Sequence, residues 1–343
     1  MSSYCKYHRG FPVKARLANG PLLVAEAGHK PGESIVCTGK IKHVGSTYID
    51  QWNYLKNLMP EGRAGEAKLT LPAPEWYHLR YQPGRAYAKG VYANDAEYFA
   101  DIAKAYRAEL QTLYDAGCRN ITIDDPNLAC KWQTLKSSKS LLISLHGGAN
   151  LLQHLLDFCS EKMLAGFREA GEDADALLDN YVALYNDCLS ARPADLHVGI
   201  HLCRGNFAYS RHFSEGGYDR VAVKLFREIN VDTYFLEYDT ERAGGFEPLE
   251  QLPPHKNVIV GVITSKFPEL EDPEKMRERV FQAADFVARG AGQTREQALQ
   301  RMGVSPQCGF ASHHLGNSVT REDMMAKLKL VRQIADSIWP GQP

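Results

Sequence analysis

From about residue 66 onward the chain repeats one pattern, in which a short apolar run is followed by a polar loop and an amphipathic segment. This alternation of strand and helix builds a parallel sheet covered by helices. The predicted strands span residues 68–74, 120–126, 196–203, 233–238, 257–264 and 304–310. Such a series of units without a large change in composition favours one continuous barrel or doubly wound sheet over two domains.

Amphipathic segments with recognisable ends separate these strands. The first is predicted over 95–116, with Asn94 as its N-cap and Gly117 as its stop signal. A second helical region reaches about residue 189 and is broken near Gly171. The remaining helices are predicted over 218–229, 273–288 and 320–339.

The first 65 residues follow a different pattern. Two strand-like runs, 21–27 and 34–39, have no amphipathic helix between them, which predicts a hairpin or a mixed cap. A closed eight-stranded barrel needs two more strand-helix units than the sequence shows. We therefore predict an α/β fold, a (β/α)8 barrel of the TIM type that is incomplete or atypical at its N-terminal edge. The cap would span 1–65 and the barrel domain 66–343.

Charge and composition limit the partners and the location. The chain has 40 Lys plus Arg against 41 Asp plus Glu, and no long basic run, so neither nucleic acid nor an anionic membrane is expected as a partner. It lacks an apolar stretch of roughly 18 residues and the apolar core of a secretory signal, so a cytoplasmic protein is expected. The eight cysteines have no paired short spacing, which favours buried thiols or metal ligands over a disulfide scaffold.

The third predicted strand places two ligand-type side chains on one face. His201 and Cys203 alternate with apolar residues, and the carboxyl ends of barrel strands are where enzymes of this architecture carry their active sites. A His and a Cys two residues apart suit a zinc site if other strands supply further ligands. For this pair alone, a small buried thiol and a hydrogen-bonded core histidine are the commoner interpretation.

Two residues on other predicted strands favour a metal site over a buried thiol and a core histidine. Glu237 ends the fourth predicted strand, and Cys308 lies at the end of the sixth. A carboxylate that closes an apolar strand is costly to bury without a partner, and a metal ion would remove that cost.

Four separated motifs carry a family resemblance. They are Ile-Thr-Ile-Asp-Asp-Pro at 121–126, His-Leu-Cys-Arg-Gly-Asn-Phe at 201–207, Phe-Leu-Glu-Tyr-Asp-Thr-Glu-Arg at 235–242 and Ser-Pro-Gln-Cys-Gly-Phe-Ala-Ser at 305–312. The chain resembles the catalytic domain of cobalamin-independent methionine synthase, and more closely the short single-domain relatives of that enzyme, over about residues 66–339. These proteins belong to the uroporphyrinogen decarboxylase/methionine synthase-like barrel superfamily.

The resemblance implies zinc as the cofactor, bound by His201, Cys203, Glu237 and Cys308. It also implies transfer of a methyl group from a folate-type or other small donor to homocysteine or a similar thiol. Two thiolates and a carboxylate outweigh the charge of zinc, and such an electron-rich metal can hold a substrate thiol deprotonated while its sulfur stays nucleophilic. Alkyl transfer to sulfur is therefore favoured over hydrolysis.

Four residues are candidate substrate contacts. Asp124 matches the family aspartate that resembles a holder for the amino group of homocysteine, although a strand-end cap is an equal alternative. Ser46, in the sequence His43-Val-Gly-Ser46, is a weak match to the family's Gly-Ser motif. Arg204 and Asn206 follow Cys203 and are candidates for contact with an anionic substrate or the surroundings of the metal, with solvated loop residues as the alternative.

The proton donor differs from that of the long enzymes. The sequence Gly-Val-Ile-Thr-Ser-Lys at 261–266 has no histidine where those enzymes carry one. His313, next to His314, is the catalytic candidate if its loop folds back, although a solvated loop histidine is the commoner situation.

Two other functions fit the same residues. A zinc-dependent thiol transferase could act on an epoxide instead of a methyl donor. A barrel that lacks strands could also be an inactive partner or regulatory subunit, because open sheet edges and apolar helix faces must be covered. A homo-oligomer would be the simplest cover.

Overall fold

The structure is a computed structural model of the 343-residue chain and describes residues 18–19, 33–34, 36–79, 86–126, 128, 173–206, 216–310 and 318–342. Its strands are β1 (Ala18–Asn19), β2 (Glu33–Ser34), β3 (Lys68–Pro72), β4 (Asn120–Asp124), β5 (His197–Leu202), β6 (Thr233–Glu237), β7 (Asn257–Ile263) and β8 (Met302–Pro306). Its α-helices are α1 (Ile49–Leu58), α2 (Trp76–Leu79), α3 (Asp95–Asp115), α4 (Ala174–Leu189), α5 (Pro273–Ala291), α6 (Arg295–Leu299) and α7 (Arg321–Ile338).

The strands β3 to β8 form a six-stranded sheet in which the spatial order is the order along the chain. The pairs β3/β4, β6/β7 and β7/β8 are parallel. Parallel neighbours in chain order, joined by helices, are the arrangement of a (β/α) barrel. The predicted α/β class is therefore confirmed, and each of the predicted strands is present. The last strand begins two residues earlier than predicted, at Met302.

The register of the last three strands brings their carboxyl ends to one level. Glu237 lies opposite Gly261, and Gly261 lies opposite Ser305. A Cβ atom at Gly261 would approach the Cα of Gln307 to 2.7 Å and the carbonyl oxygen of Leu236 to 2.9 Å. Only glycine therefore allows this close approach, which draws the residues after β8 against the end of β7.

The chain divides into two compact units. The first consists of Met1–Asp124, Ser137–Leu156 and Asp175–Gly199. Within it, α3 buries one stripe of side chains, as its sequence periodicity requires: Tyr98, Ile102, Tyr106, Leu110 and Leu113. The helix α1 is held to the loop after α3 by a hydrogen bond of 3.0 Å from Trp52 Nε1 to the carbonyl oxygen of Ala116.

The second unit consists of Asp125–Lys136, Asp157–Ala174 and Ile200–Pro343. Its core combines apolar strand residues with the buried face of α5: Tyr234, Leu236, Val258, Val260, Val280, Ala283, Ala284 and Val287. The helix α5 begins at Pro273 after Asp272, whose side chain accepts hydrogen bonds from two backbone amides of the first turn, and it ends at Gly292 in the left-handed region. The burial of each large apolar side chain contributes roughly 1.5–3 kcal/mol.

Most predicted helices are confirmed within the described residues. Asn94 accepts a hydrogen bond of 3.0 Å from the amide of Glu97 and begins α3, and α4, α5 and α7 end within three residues of their predicted ends. The helix predicted over 218–229 is wrong in its first part. There the chain forms a turn and then a π-helix over Lys224–Glu228, because the hydroxyl of Tyr218 is held at the carbonyl oxygen of Leu202.

The N-terminal segment contains one element that the sequence did not predict. The helix α1 has a single buried side chain, Trp52, so its sequence lacks a clear apolar stripe. The strands β1 and β2 pair in antiparallel fashion, as a hairpin would, whereas the predicted run 21–27 lies outside the described residues. The boundary between 65 and 66 stays a prediction. None of the helices in the described ranges combines the length and the apolar character needed to cross a membrane.

Candidate metal centre

Three ligand-type side chains converge in the second unit. His201, Cys203 and Cys308 each offer one ligand atom, and these atoms lie within 4.8 Å of one another. The Nε2 atom of His201 and the Sγ atom of Cys308 are 3.3 Å apart. Sequence reasoning predicted all three residues as metal ligands, and the structure brings them together.

The local sequence explains how these side chains reach the same place. His201 lies on β5, and its apolar neighbours Ile200 and Leu202 are fully buried on the opposite face of the strand. Cys203 is the first residue after β5, and Cys308 is the second residue after β8. Both cysteines therefore lie in loops at the carboxyl ends of their strands, where barrel enzymes carry their chemistry.

The interaction between the two thiols shifts the pKa of each in opposite directions. Hydrogen bonds from the Cys308 thiol and from the His201 ring lower the pKa of Cys203 against the opposing effect of burial. The same interaction with Cys203, together with burial, raises the pKa of Cys308.

The chemistry of these donors fits zinc. Thiolate sulfur and imidazole nitrogen are the ligands that zinc prefers, and a site with three protein ligands leaves a position for a substrate. Neither cysteine is in a disulfide, so both sulfurs are available as ligands. His201, Cys203 and Cys308 are thus the residues that could hold the ion.

Glu237 lies nearby but outside this three-residue cluster. It is the last residue of β6, its side chain is fully buried, and its Oε2 atom accepts a hydrogen bond of 2.9 Å from the amide of Arg204. This bond ties the carboxylate to the residue directly after Cys203. Its prediction as a fourth ligand stays a prediction.

Arg204 is fully buried, and its guanidinium donates to several acceptors in the described part of the chain. Its Nη1 atom donates to the carbonyl oxygen of Glu237 at 3.0 Å and to the hydroxyl of Tyr218 at 3.2 Å. Its Nη2 atom donates to the carbonyl oxygen of Ala243 at 3.1 Å, and its Nε atom to that of Gly216 at 2.8 Å. The structure thus shows Arg204 as an anchor of these loops, and its predicted contact with substrate stays a prediction.

Asn206 links the two cysteine loops. Its Nδ2 atom donates a hydrogen bond of 2.7 Å to the carbonyl oxygen of Gly309, the residue after Cys308. Its side chain is 8% exposed, so the alternative of a solvated loop residue does not hold. Contact with a substrate stays a prediction.

The two aspartates after β4 have different surroundings. Asp124 ends the strand with an exposed side chain, and its carbonyl oxygen accepts from the amide of Ala73 at 3.2 Å. Asp125 is buried, its amide donates to the carbonyl oxygen of His201 at 2.9 Å, and its Oδ1 atom accepts from the amide of Leu128 at 3.2 Å. The backbone of Asp125 therefore supports His201, and the predicted contact of Asp124 with a substrate amino group stays a prediction.

The other predicted residues lie elsewhere or outside the described ranges. Ser46 belongs to the first unit, where its hydroxyl donates a hydrogen bond of 2.6 Å to Oε1 of Glu109. His313 falls in 311–317, outside the described residues. The roles predicted for both residues stay predictions.

Sequence reasoning missed three buried residues beside the cysteine loops. Ser265 and Lys266 follow β7, and Gln307 precedes Cys308. In the sequence, 261–266 is notable only as a stretch without a histidine. The available signal was a Ser-Lys pair directly after an uninterrupted apolar strand, a place where polar side chains face the catalytic end of a barrel.

Comparisons with known proteins place the chain among relatives of similar sequence. No sequence-family model matches it. Two proteins of Bacillus subtilis (strain 168), the uncharacterized proteins YxjH and YxjG, are each 35% identical to it over 309 residues. These alignments cover 89% of this chain, 70% of YxjH and 69% of YxjG.

Two crystal structures share the fold. A candidate vitamin-B12-independent methionine synthase from Listeria monocytogenes has a TM-score of 0.58 at 27% identity, over 89% of this chain and 73% of its own. A B12-independent methionine synthase from Shewanella sp. W3-18-1, in complex with selenomethionine, has a TM-score of 0.59 at 15% identity, over 98% of this chain and 78% of its own. The chain therefore belongs to the family of the Bacillus subtilis proteins YxjH and YxjG, whose fold it shares with B12-independent methionine synthases.

Proposed function

We propose that the protein is a zinc-dependent S-methyltransferase that transfers a methyl group from a folate-type or other small donor to homocysteine or a similar thiol. The observation that carries this proposal is the convergence of His201, Cys203 and Cys308 at the carboxyl ends of β5 and β8. The Listeria structure, at 27% identity, supports the reaction class.

In this proposal the residues of the metal centre have separate roles. His201, Cys203 and Cys308 would hold zinc, and Glu237, whose carboxylate accepts from the amide of Arg204, would be the fourth protein ligand, with a substrate thiol taking or displacing one of these ligands. Bound zinc supplies the positive charge that keeps a substrate thiol ionised at neutral pH.

Four polar side chains are the substrate contacts of this proposal. Asp124 binds the amino group of the amino-acid thiol, because an exposed carboxylate at a strand end suits an ammonium group. Ser46, Arg204 and Asn206 are the further contacts of this proposal.

The methyl transfer itself is a displacement. The bond between the thiol sulfur and the methyl carbon forms while the bond between that carbon and the donor breaks, and the departing donor atom takes a proton. His313 is the acid of this proposal.

The five cysteines in the described ranges are free thiols, which suits a reducing cytoplasm as the location.

The test is the metal content of the purified wild-type protein beside Cys308→Ser, followed by the zinc-edge X-ray absorption spectrum with homocysteine. We expect one zinc per chain, loss or weakening of zinc in the variant, and an added sulfur ligand when homocysteine is supplied. Cys37→Ser, a half-buried cysteine of the first unit, is the matched control and should keep its zinc.

Two results would contradict the proposal. Zinc that never accepts a thiol, or a protein without zinc, would exclude thiol activation and favour a partner or regulatory role. If the thiol binds but methionine does not form with methyl donors, a product assay with small thiols and epoxides tests the other electrophile.

A further inference from the structure

The turn that follows β7 contains three buried polar residues, Thr264, Ser265 and Lys266. The side chain of Lys266 is fully buried. A buried lysine is rare because the removal of an ammonium group from water is costly, so its position must be compensated by specific contacts.

Lys266 contacts the loop that carries Cys203. Its Nζ atom donates to the carbonyl oxygen of Gly205 at 3.0 Å and to Oδ1 of Asn206 at 3.2 Å. Since Asn206 in turn donates to the carbonyl oxygen of Gly309, one chain of hydrogen bonds runs from the ammonium through the first cysteine loop to the second.

Ser265 contacts the loop that carries Cys308. Its amide donates to Oε1 of Gln307 at 3.0 Å, and its hydroxyl donates to the same oxygen. The amide of Gln307 donates to the carbonyl oxygen of Ile263 at 2.8 Å. The residue before Cys308 is thus held at both its side chain and its backbone.

The turn is also anchored from its other side. The amide of Thr264 donates to Oε1 of Glu271 at 2.8 Å, and Oε2 of Glu271 forms an ion pair of 3.0 Å with Lys327 of α7. Lys327 is itself fully buried and donates to the carbonyl oxygen of Glu269 at 2.6 Å. These contacts fix the position of the turn, which also contacts both cysteine loops.

We propose that Lys266 and Ser265 are positioning residues of the metal centre, with Lys266 holding the Cys203 loop and Ser265 holding the Cys308 loop. The inference rests on the proposed function in one respect, that the three-residue cluster binds zinc. In this role Lys266 and Ser265 act on the loops and are not themselves ligands. They act by keeping the loops at the separation that lets both sulfurs bind one ion.

The first test is the zinc affinity of Lys266→Met, measured by competition with a chromophoric chelator, together with the absorption spectrum of the cobalt-substituted protein. We expect affinity to fall about 10–100-fold and the cobalt bands to shift, because the residues that orient metal ligands have effects of this size. Lys256→Met is the matched control. Lys256 is also buried, but it precedes β7 and donates to the carbonyl oxygen of Ile229, so its removal should leave affinity and spectrum unchanged.

The second test uses metal-free protein and amide hydrogen exchange. Lys266→Met should speed exchange in 203–206 by about tenfold, the effect of losing roughly one hydrogen bond. Ser265→Ala, a milder variant that serves if Lys266→Met does not fold, should speed exchange in 307–310 and leave 203–206 little changed.

The outcomes separate the two proposals. Wild-type protein that binds no zinc would overturn the proposed function, and the expected pattern of exchange would then show that Lys266 and Ser265 hold the cysteine loops without a metal. If both variants have the zinc affinity and the exchange rates of the wild-type protein, the positioning role is wrong and the proposed function stands. Equal effects in Lys256→Met would also overturn it, because they would show a general loss of stability.

Discussion

Each of the two units contains a cluster of polar side chains, and the two clusters differ in the kind of partner that their central atoms bind best. In the second unit, His201, Cys203 and Cys308 bring one nitrogen and two sulfurs together. In the first unit, the carboxylate of Glu109 accepts from Nε2 of His43 at 2.8 Å, and from the hydroxyl of Ser46 and the amide of Tyr48.

The difference lies in the chemistry of the central groups. The carboxylate of Glu109 takes three hydrogen bonds and thereby fastens the loop before α1 to α3, which is a role in stability. Thiol sulfurs are weak hydrogen-bond partners and strong metal ligands, so a pair of buried sulfurs gains little from mutual contact and much from an ion. The cluster of His201, Cys203 and Cys308, whose sulfurs form the weaker hydrogen bonds, is therefore the better candidate for a functional site.

The largest effect is expected from the loss of a sulfur ligand. Cys203→Ser should remove zinc and methyl transfer together while the protein keeps its fold, because a hydroxyl is a poor substitute for a thiolate. Elemental analysis and circular dichroism of the same preparation test this. Retention of one zinc per chain would show that Cys203 is not a ligand.

The anchor beside the metal centre should matter for stability. Arg204→Met should lower the free energy of unfolding by about 3 kcal/mol, because several buried carbonyl oxygens lose their donor. Urea denaturation measures the change. Arg289→Met, which removes an exposed ion pair with Glu250, is the control and should change stability by less than about 0.5 kcal/mol.

The cluster of the first unit should affect stability alone. Glu109→Gln should lower the free energy of unfolding by about 1–2 kcal/mol, since the charged acceptor of three donors becomes neutral. Zinc content should be unchanged. A fall in zinc content in a protein that remains folded would contradict the division of roles between the two clusters.

The smallest effect is expected for Ser46→Ala, which removes one donor to Glu109 and should lower the free energy of unfolding by about 1 kcal/mol. The KM for homocysteine, measured on the same variant, tests the predicted substrate contact. A raised KM with unchanged kcat assigns Ser46 to the substrate, and an unchanged KM restricts it to the Glu109 cluster.

Much of the fold could be predicted because it rests on local patterns. Apolar runs with strand periodicity located β3 to β8, and an N-cap followed by an amphipathic segment located α3 at Asp95. The prediction failed where tertiary contact replaces local pattern. Tyr218 turns the chain because its hydroxyl is held by Leu202, and α1 buries only Trp52.

The candidate site shows the same division. The family resemblance implied the ligand set of His201, Cys203, Glu237 and Cys308. Strand-face geometry supported His201 and Cys203 independently, since few residue types bind zinc and the carboxyl ends of parallel strands meet at one edge. The roles of Arg204, Ser265 and Lys266 could not be found in this way, because their partners are backbone atoms or residues distant in the sequence. No sequence pattern encodes a contact with a carbonyl group.

The sequence by itself determined the class of fold and the order of the strands, because periodicity is a property of the chain, and the motifs that it shares with a known family indicated the ligand-type residues. Only the tertiary structure decided that Glu237 is tied to the amide of Arg204, that Ser46 lies with Glu109, and that Lys266 is buried between loops. The physical reason is that a hydrogen bond depends on where two groups lie in space. Their positions depend on the register of the strands and on the packing of the side chains.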